Sequence, residues 1–237
     1  KARASIMSDY SDIYGRIHEA REITADIARV TPLDRSSTFS RMSGGEVYLK
    51  LENLQKTGSF KVRGASYAIS QLSDSEKEAG VVAASAGNHA QGVAHAATRL
   101  GIKSQIVMPV FSPVAKIQAT KGYGAEVILH GEMFDESLAR AYEIAESTGA
   151  TFIHPFNDKN VIAGQGTIGL EILEALPEVD VVAVPVGGGG LVSGIAIAMK
   201  TQKPEVEIYG VEAASAASMK ISMETGQPAP AEKMDTI

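Results

Sequence analysis

In Val181-Val182-Ala183-Val184-Pro185-Val186-Gly187-Gly188-Gly189-Gly190-Leu191, an apolar run ends in four consecutive glycines, and Ile195-Ala196-Ile197-Ala198-Met199 follows. The first run reads as a buried strand and the second as a buried helix. Four glycines are costly in backbone entropy and bury no side chain. They make sense where backbone N–H groups close around an anion at a helix N-terminus. A flexible turn is the competing reading, although turns seldom use four glycines together. No Lys-Ser/Thr pair follows the glycines, which excludes a nucleotide P-loop, and the spacing is not G-x-G-x-x-G with a distant acid. A phosphate carried by something other than a nucleotide is the ligand that remains.

The same grammar recurs upstream. Val81 to Ala84 is an apolar run, Ser85-Ala86-Gly87-Asn88-His89 is the loop after it, and Val93, Ala94, Ala97 and Leu100 fall at helical spacing. From Val81 to Phe152, strands and helices alternate. The expected strands are Ser104 to Met108 and Glu126 to Leu129. The expected helices are Pro113 to Lys121, with proline early in its first turn, and Phe134 to Ser147, stopped by Gly149. Asp180 to Val186 and Val206 to Val211 are further strands. This rhythm predicts an α/β fold of parallel sheets with helices on both faces. Ligands in such sheets sit beyond the carboxyl ends of the strands, where both loops fall, so the two loops can converge. Ahead of this region, Asp9 to Arg29 is expected as an amphipathic helix with Ile13, Ile17, Ala20, Ile23 and Ile27 on one face, ended by Thr31-Pro32. Glu46 to Glu52 alternates as a half-buried strand, with Glu52 a solvated edge carboxylate.

Between them lies Thr57-Gly58-Ser59-Phe60-Lys61-Val62-Arg63-Gly64-Ala65. Ser59 is expected as an N-cap, and Val62, Ala65, Ala68, Ile69 and Leu72 follow at helical spacing. A lysine in the first turn opposes the partial positive charge of that helix end. The conflict lowers its pKa and frees the amine for imine chemistry. Taken alone, the stretch fits a surface lysine after a cap equally well. Joined to a phosphate cradle, an imine-forming lysine implies pyridoxal phosphate.

Four motifs carry a family resemblance: GSFKVRGA, SAGNHAQGVA, the run Ala163-Gly164-Gln165-Gly166-Thr167-Ile168-Gly169 with Glu171, and VPVGGGGLVSG. From about Ile13 to about Glu212 the chain resembles the fold-type II pyridoxal-phosphate enzymes, and within them the threonine (serine/threonine) dehydratases. The resemblance implies a two-lobed, tryptophan synthase β-like fold. Residues 1–53 and 152–237 would form a large cofactor-binding lobe, and residues 54–151 a small one. It implies Lys61 as the lysine that holds the cofactor and removes the substrate Cα proton, with Phe60 packed beside the ring. Asn88 would bond the ring's phenolic oxygen, and Gly187, Gly188, Gly189, Gly190 and Leu191 would hold the phosphate. Ser85, Ala86, Gly87, Asn88 and His89 would grip the substrate carboxylate. The implied reaction takes L-threonine to 2-oxobutanoate and ammonia by β-elimination of the hydroxyl, and L-serine to pyruvate. Serine racemases of this fold tend to carry serine where Ala86 stands; a methyl group cannot donate a proton, which favours elimination over racemisation. A racemase, a serine-selective dehydratase and a non-catalytic ligand-binding homologue are the alternatives. The resemblance also suggests a monovalent cation at Glu212, Ala216 and Ser218, for which a polar loop after a strand is an equal reading.

Composition agrees with an ordinary enzyme domain: 237 residues, 44% hydrophobic and 21% charged, with no cysteine for a disulfide or thiolate. A net charge of −6 gives no reason to expect nucleic acid or an anionic membrane. The five histidines contain no i, i+4 pair, which argues against a catalytic metal. A cytoplasmic homodimer or homotetramer is expected, serving isoleucine biosynthesis or threonine breakdown. Family members continue past Thr225-Gly226-Gln227-Pro228 and partner the pyridine nitrogen from that later region, so the sequence is expected to be part of a longer chain.

Overall fold

The computed structural model describes residues 2–229. Helix α1, Ala2–Ile23, opens the chain. Strand β1, Leu33–Arg35, follows, then α2, Ser37–Ser43, capped by the Ser36 hydroxyl and by Gly44 in the left-handed region. β2, Tyr48–Lys50, pairs antiparallel with β1 in the register Leu33 to Lys50. The chain then turns through Glu52–Leu54 and Lys56–Gly58 into α3, Lys61–Ser70.

α4, Asp74–Ala79, leads into a four-stranded parallel sheet built from β3 (Val81–Ala84), β4 (Ser104–Met108), β5 (Glu126–Leu129) and β6 (Thr151–Phe152), in the order β5-β4-β3-β6. Its crossovers are α5 (Asn88–Arg99), α6 (Val114–Gly122) and α7 (Phe134–Thr148). Side-chain alternation covers both faces. Val81, Ala83, Ile106 and Met108 pack with Val93, Ala94 and Ala97 of α5, whereas Val82, Ala84 and Val107 pack with Ala141 and Ile144 of α7. Burial on both faces is why these strands read as continuous apolar runs.

α8, Lys159–Ala175, then crosses to a second parallel pair, β7 (Val181–Pro185) and β8 (Glu207–Val211), joined by α9, Gly190–Gln202; α10, Ser218–Thr225, ends the described part. α8 is the central helix. Ile17 and Ala20 of α1, Tyr67 of α3 and Ala198 of α9 share one apolar cluster with its Ala163 and Leu170. No helix among the described residues is long and apolar enough to cross a membrane.

Two expectations change. α1 stops at Ile23 rather than Arg29; the Thr24 hydroxyl donates to the Ala20 carbonyl at 2.7 Å, and Ile27 is reached by a turn. Such back-bonding offers the backbone an alternative to the helix ladder. Ile13, Ile17, Ala20 and Ile27 are buried, but Ile23 is exposed. The cap of α3 falls on Phe60, not Ser59, whose hydroxyl instead accepts the Lys61 N–H at 3.4 Å. Phe152, in β6, pairs with Val82 of β3 in the four-stranded sheet.

Candidate active site

Lys61 is the first residue of α3, and its side chain points into a cavity of about 300 Å³. Phe60, Pro155, Phe156, Gln165 and the run from Pro185 to Leu191 complete the walls. The expected lysine and the expected glycines therefore share one space, although Gly187 lies 126 positions after Lys61 in the sequence. Lys61 Nζ donates to the Pro155 carbonyl at 2.7 Å and sits 5.4 Å from the Phe60 ring centroid. Burial pushes the Lys61 amine below its ordinary pKa. The direction is the one expected from the sequence, but desolvation is the cause that acts, because an ammonium in a partly dry wall loses hydration.

The glycine loop joins β7 to α9. Gly189, the cap of α9, has φ +86° and no side chain to bond the first N–H groups of the helix. Those N–H groups have no intrahelical acceptor and belong to residues that line the cavity, as an anion site requires. A Cβ at Gly188 would lie 2.3 Å from the Phe156 ring, and one at Gly190 would lie 2.8 Å from the Phe156 carbonyl oxygen. Phe156 thus packs so closely under the loop that only glycine fits there. A half-buried amine of lowered basicity facing a cradle of free N–H groups suits an aldehyde that carries a phosphate. The residues present fit pyridoxal phosphate.

The loop from Ser85 to His89 does not line this cavity, but α5 rests on the start of α3. A Cβ at Gly92 would lie 3.0 Å from the Lys61 carbonyl carbon. Gly87 caps α5 without a side-chain bond, so the first N–H groups of this helix are also open to a ligand. Asn88 is exposed at the helix start, and Ser85 and Ala86 are half-buried. His89 is buried, and its Nε2 bonds the Ile153 carbonyl at 2.8 Å. Burial pushes its imidazole down to about 4, with Lys61 and His154 adding to the effect, so it is neutral at physiological pH. Both carboxylate oxygens of Glu212 accept backbone N–H groups, from Met219 at 2.8 Å and Lys220 at 2.9 Å, which holds the first turn of α10.

Sequence reasoning missed a buried charge cluster behind Lys61. The Arg63 guanidinium, 3% exposed, bonds Glu171 at 2.6 Å and Glu52 at 2.8 Å, and donates to Thr167 and to the Arg29 carbonyl. Lys50 bonds Glu171 from the other side and donates to the Thr31 carbonyl. Burial alone disfavours a charged Arg63, but the two carboxylates outweigh it and hold the guanidinium above its ordinary value. Glu52, expected to be solvated, is thus a half-buried partner of this cluster, 14% exposed at its side chain. The available signal was a charged residue inside an apolar periodic helix: Arg63 between Val62 and Ala65, and Glu171 between Leu170 and Ile172. Pro155, Phe156 and Gln165 were also missed as cavity walls: Pro155 and Phe156 stand in no motif, and Gln165, although inside the Ala163–Gly169 run, carried no assigned role.

Parallel sheets flanked by helices, with a half-buried amine facing an uncapped glycine loop, define a class, and the comparison with known families agrees. Residues 24–237 match the model of the pyridoxal-phosphate dependent enzymes, and the chain belongs to that family. It is 56% identical over 211 residues, 89% of its length, to an L-threonine ammonia-lyase of Thermotoga maritima, of which the match covers 53%. It is 49% identical over the same span to a catabolic L-threonine dehydratase of Escherichia coli, covering 64% of that protein. The chain thus spans between half and two thirds of the length of these curated relatives. Among solved structures, a processed threonine deaminase from Solanum lycopersicum superposes with a TM-score of 0.91 at 41% identity, covering 95% of this chain and 66% of that one. A maize serine racemase gives 0.91 at 38% identity, covering 94% and 68%.

Proposed function

We propose that the protein to which this chain belongs is a pyridoxal-phosphate-dependent ammonia-lyase that converts L-threonine to 2-oxobutanoate and ammonia, and L-serine to pyruvate. The observation that carries this reading is the single cavity shared by the Lys61 amine and the Gly187–Gly190 loop. The names of the relatives at 49% and 56% identity support threonine as substrate.

Bound cofactor supplies an electron sink for the negative charge that develops at the substrate Cα. The protein supplies the rest. Lys61 Nζ would hold the cofactor at its aldehyde and would take the proton from the substrate Cα. Its lowered basicity keeps a larger neutral fraction ready for that step. Gly187 to Leu191 would bind the phosphate through backbone N–H groups, and Phe60 would pack beside the ring. Ser85 to His89, at the start of α5, would bind the substrate carboxylate, and Asn88 would bond the phenolic oxygen. The neutral His89 leaves the carboxylate to backbone donors rather than to an imidazolium.

The lobes are proposed as residues 1–53 with 152–237, and 54–151; the assembly as a homodimer or homotetramer in the cytoplasm. A monovalent cation near Glu212, Ala216 and Ser218 belongs to the same reading, and unchanged activity with potassium replaced by tetramethylammonium would dismiss it. The serine racemase neighbour favours a second reading, racemisation. Ala86 opposes it, because the racemising face needs a proton donor. Product assays with L-threonine and L-serine, together with a chiral assay for D-serine, separate the two. Turnover retained in Lys61→Ala would refute the lyase assignment.

A further inference from the structure

α8 lies between the two helices that begin at the two halves of the site. α3 starts at Lys61, and α9 starts at Gly190, beside the glycine loop. Toward α3, a Cβ at Gly164 would lie 2.6 Å from both the Arg63 carbonyl oxygen and Gly64 Cα. Toward α9, a Cβ at Gly194 would lie 2.3 Å from the Ile162 carbonyl oxygen and 2.6 Å from the Gly166 nitrogen. One turn further on, a Cβ at Gly169 would lie 2.9 Å from Ala198 Cβ. Positions 164 and 166 are about 200° apart around a helix, so the G-x-G spacing puts the two close approaches on opposite sides. Between them, Gln165 is 1% exposed, lines the cavity and accepts the Gly64 N–H at 3.2 Å. The buried bonds from Arg63 to Thr167 and Glu171 tie the same crossing.

Packed helices ordinarily stand about 8–10 Å apart, cushioned by side chains that can change rotamer. Here backbone meets backbone on both sides of α8, so there is no soft layer to absorb a change in spacing. We infer that α8 is a gauge: Gly164 toward α3, and Gly166 and Gly169 toward α9, are positioning residues that set the span between the Lys61 amine and the phosphate-binding loop. The motif from Ala163 to Gly169 thereby gains a role in matching a ligand held at both ends, resting on the cofactor reading above.

The test compares two probes on the intact protein stripped of cofactor. Pyridoxal 5′-phosphate engages both ends of the span; pyridoxal, which lacks the phosphate, engages only Lys61. Gly166→Ala would place a Cβ 2.6 Å from Ile17 Cδ1 of α1, a side chain that can turn away, and 2.9 Å from the Gly194 carbonyl oxygen of α9, which cannot; Gly169→Ala would place one 2.9 Å from Ala198 Cβ. Restoring ordinary contact moves α9 by about half an ångström; misplacements on the order of 1 Å in a site cost about 10²-fold in reaction rate, which sets the scale for the mismatch of a ligand held at both ends. The expected result is a loss of tenfold or more in pyridoxal phosphate affinity, with pyridoxal affinity within threefold of the parent. The exchange Gly169→Ala with Ala198→Gly moves the methyl group across the interface and should restore phosphate-dependent affinity. It also carries the test if Gly166→Ala does not fold. Parallel losses for both probes, no loss for either, or failure of the exchange to restore affinity would overturn the gauge. Absence of a borohydride-trapped adduct at Lys61 in the unaltered protein would instead overturn the cofactor reading itself, before any variant is made.

Discussion

Replacing Glu171 with glutamine tests whether the charge cluster behind Lys61 is balanced by design. Four charges meet there, Lys50 and Arg63 against Glu52 and Glu171, with side-chain exposures of 10%, 3%, 14% and 5%. Glu171 is the shared acceptor: one oxygen faces Arg63 Nη1 at 2.6 Å, and the other faces Arg63 Nη2 at 2.9 Å and Lys50 Nζ. Glutamine keeps the shape but leaves one surplus positive charge in a nearly dry site. A pair at about 4 Å is worth roughly 4 kcal/mol at an effective dielectric constant near 20, and removing one partner of a buried pair costs about 3–5 kcal/mol. At about 2–4 °C per kcal/mol for a domain of this size, the melting temperature should fall by roughly 6–20 °C. Urea denaturation of the cofactor-free protein measures the loss directly. Adding Lys50→Met removes the surplus charge and should recover at least half of it, since Arg63 then faces Glu52 alone. A loss below about 1 kcal/mol in Glu171→Gln, or no recovery in the double variant, would refute the reasoning.

Acid should destabilise the protein through His89. The unfolded chain takes up a proton near pH 6.5, whereas the buried ring resists protonation until about 4, so stability is lost as pH falls across that window. The loss is on the order of 3 kcal/mol. Urea midpoints at pH 7 and pH 4.5 should differ less in His89→Gln than in the parent, and equal differences would count against the assignment. Lys61 should react with pyridoxal at pH 8 faster than exposed lysines do, because burial leaves more of it neutral; uniform borohydride labelling across the lysines would contradict this. Gly188→Ala drives a methyl group into the Phe156 ring at 2.3 Å. It should weaken retention of pyridoxal phosphate about tenfold, with Phe156→Ala in the same chain recovering part of the loss in a cofactor titration.

What the sequence determined by itself was local and periodic. The strands Val81–Ala84 and Ser104–Met108 stand where the apolar runs stood, because a strand covered on both faces has no polar alternation to blur its ends; Glu126–Leu129, at the sheet edge, was found as well. The stop at Gly149 held because its φ of +77° suits glycine. Lys61 and the four glycines were legible for the same reason: each is a residue type that a local backbone or local chemistry demands. Tertiary structure decided what depends on neighbours far along the chain. Whether Glu52 is solvated turns on Arg63 and Glu171, the lowered basicity of Lys61 turns on the walls that exclude water, and the glycines of α8 have meaning only against α3 and α9. Burial, charge pairing and backbone approach belong to pairs of segments, and periodicity within one segment carries no record of its partner.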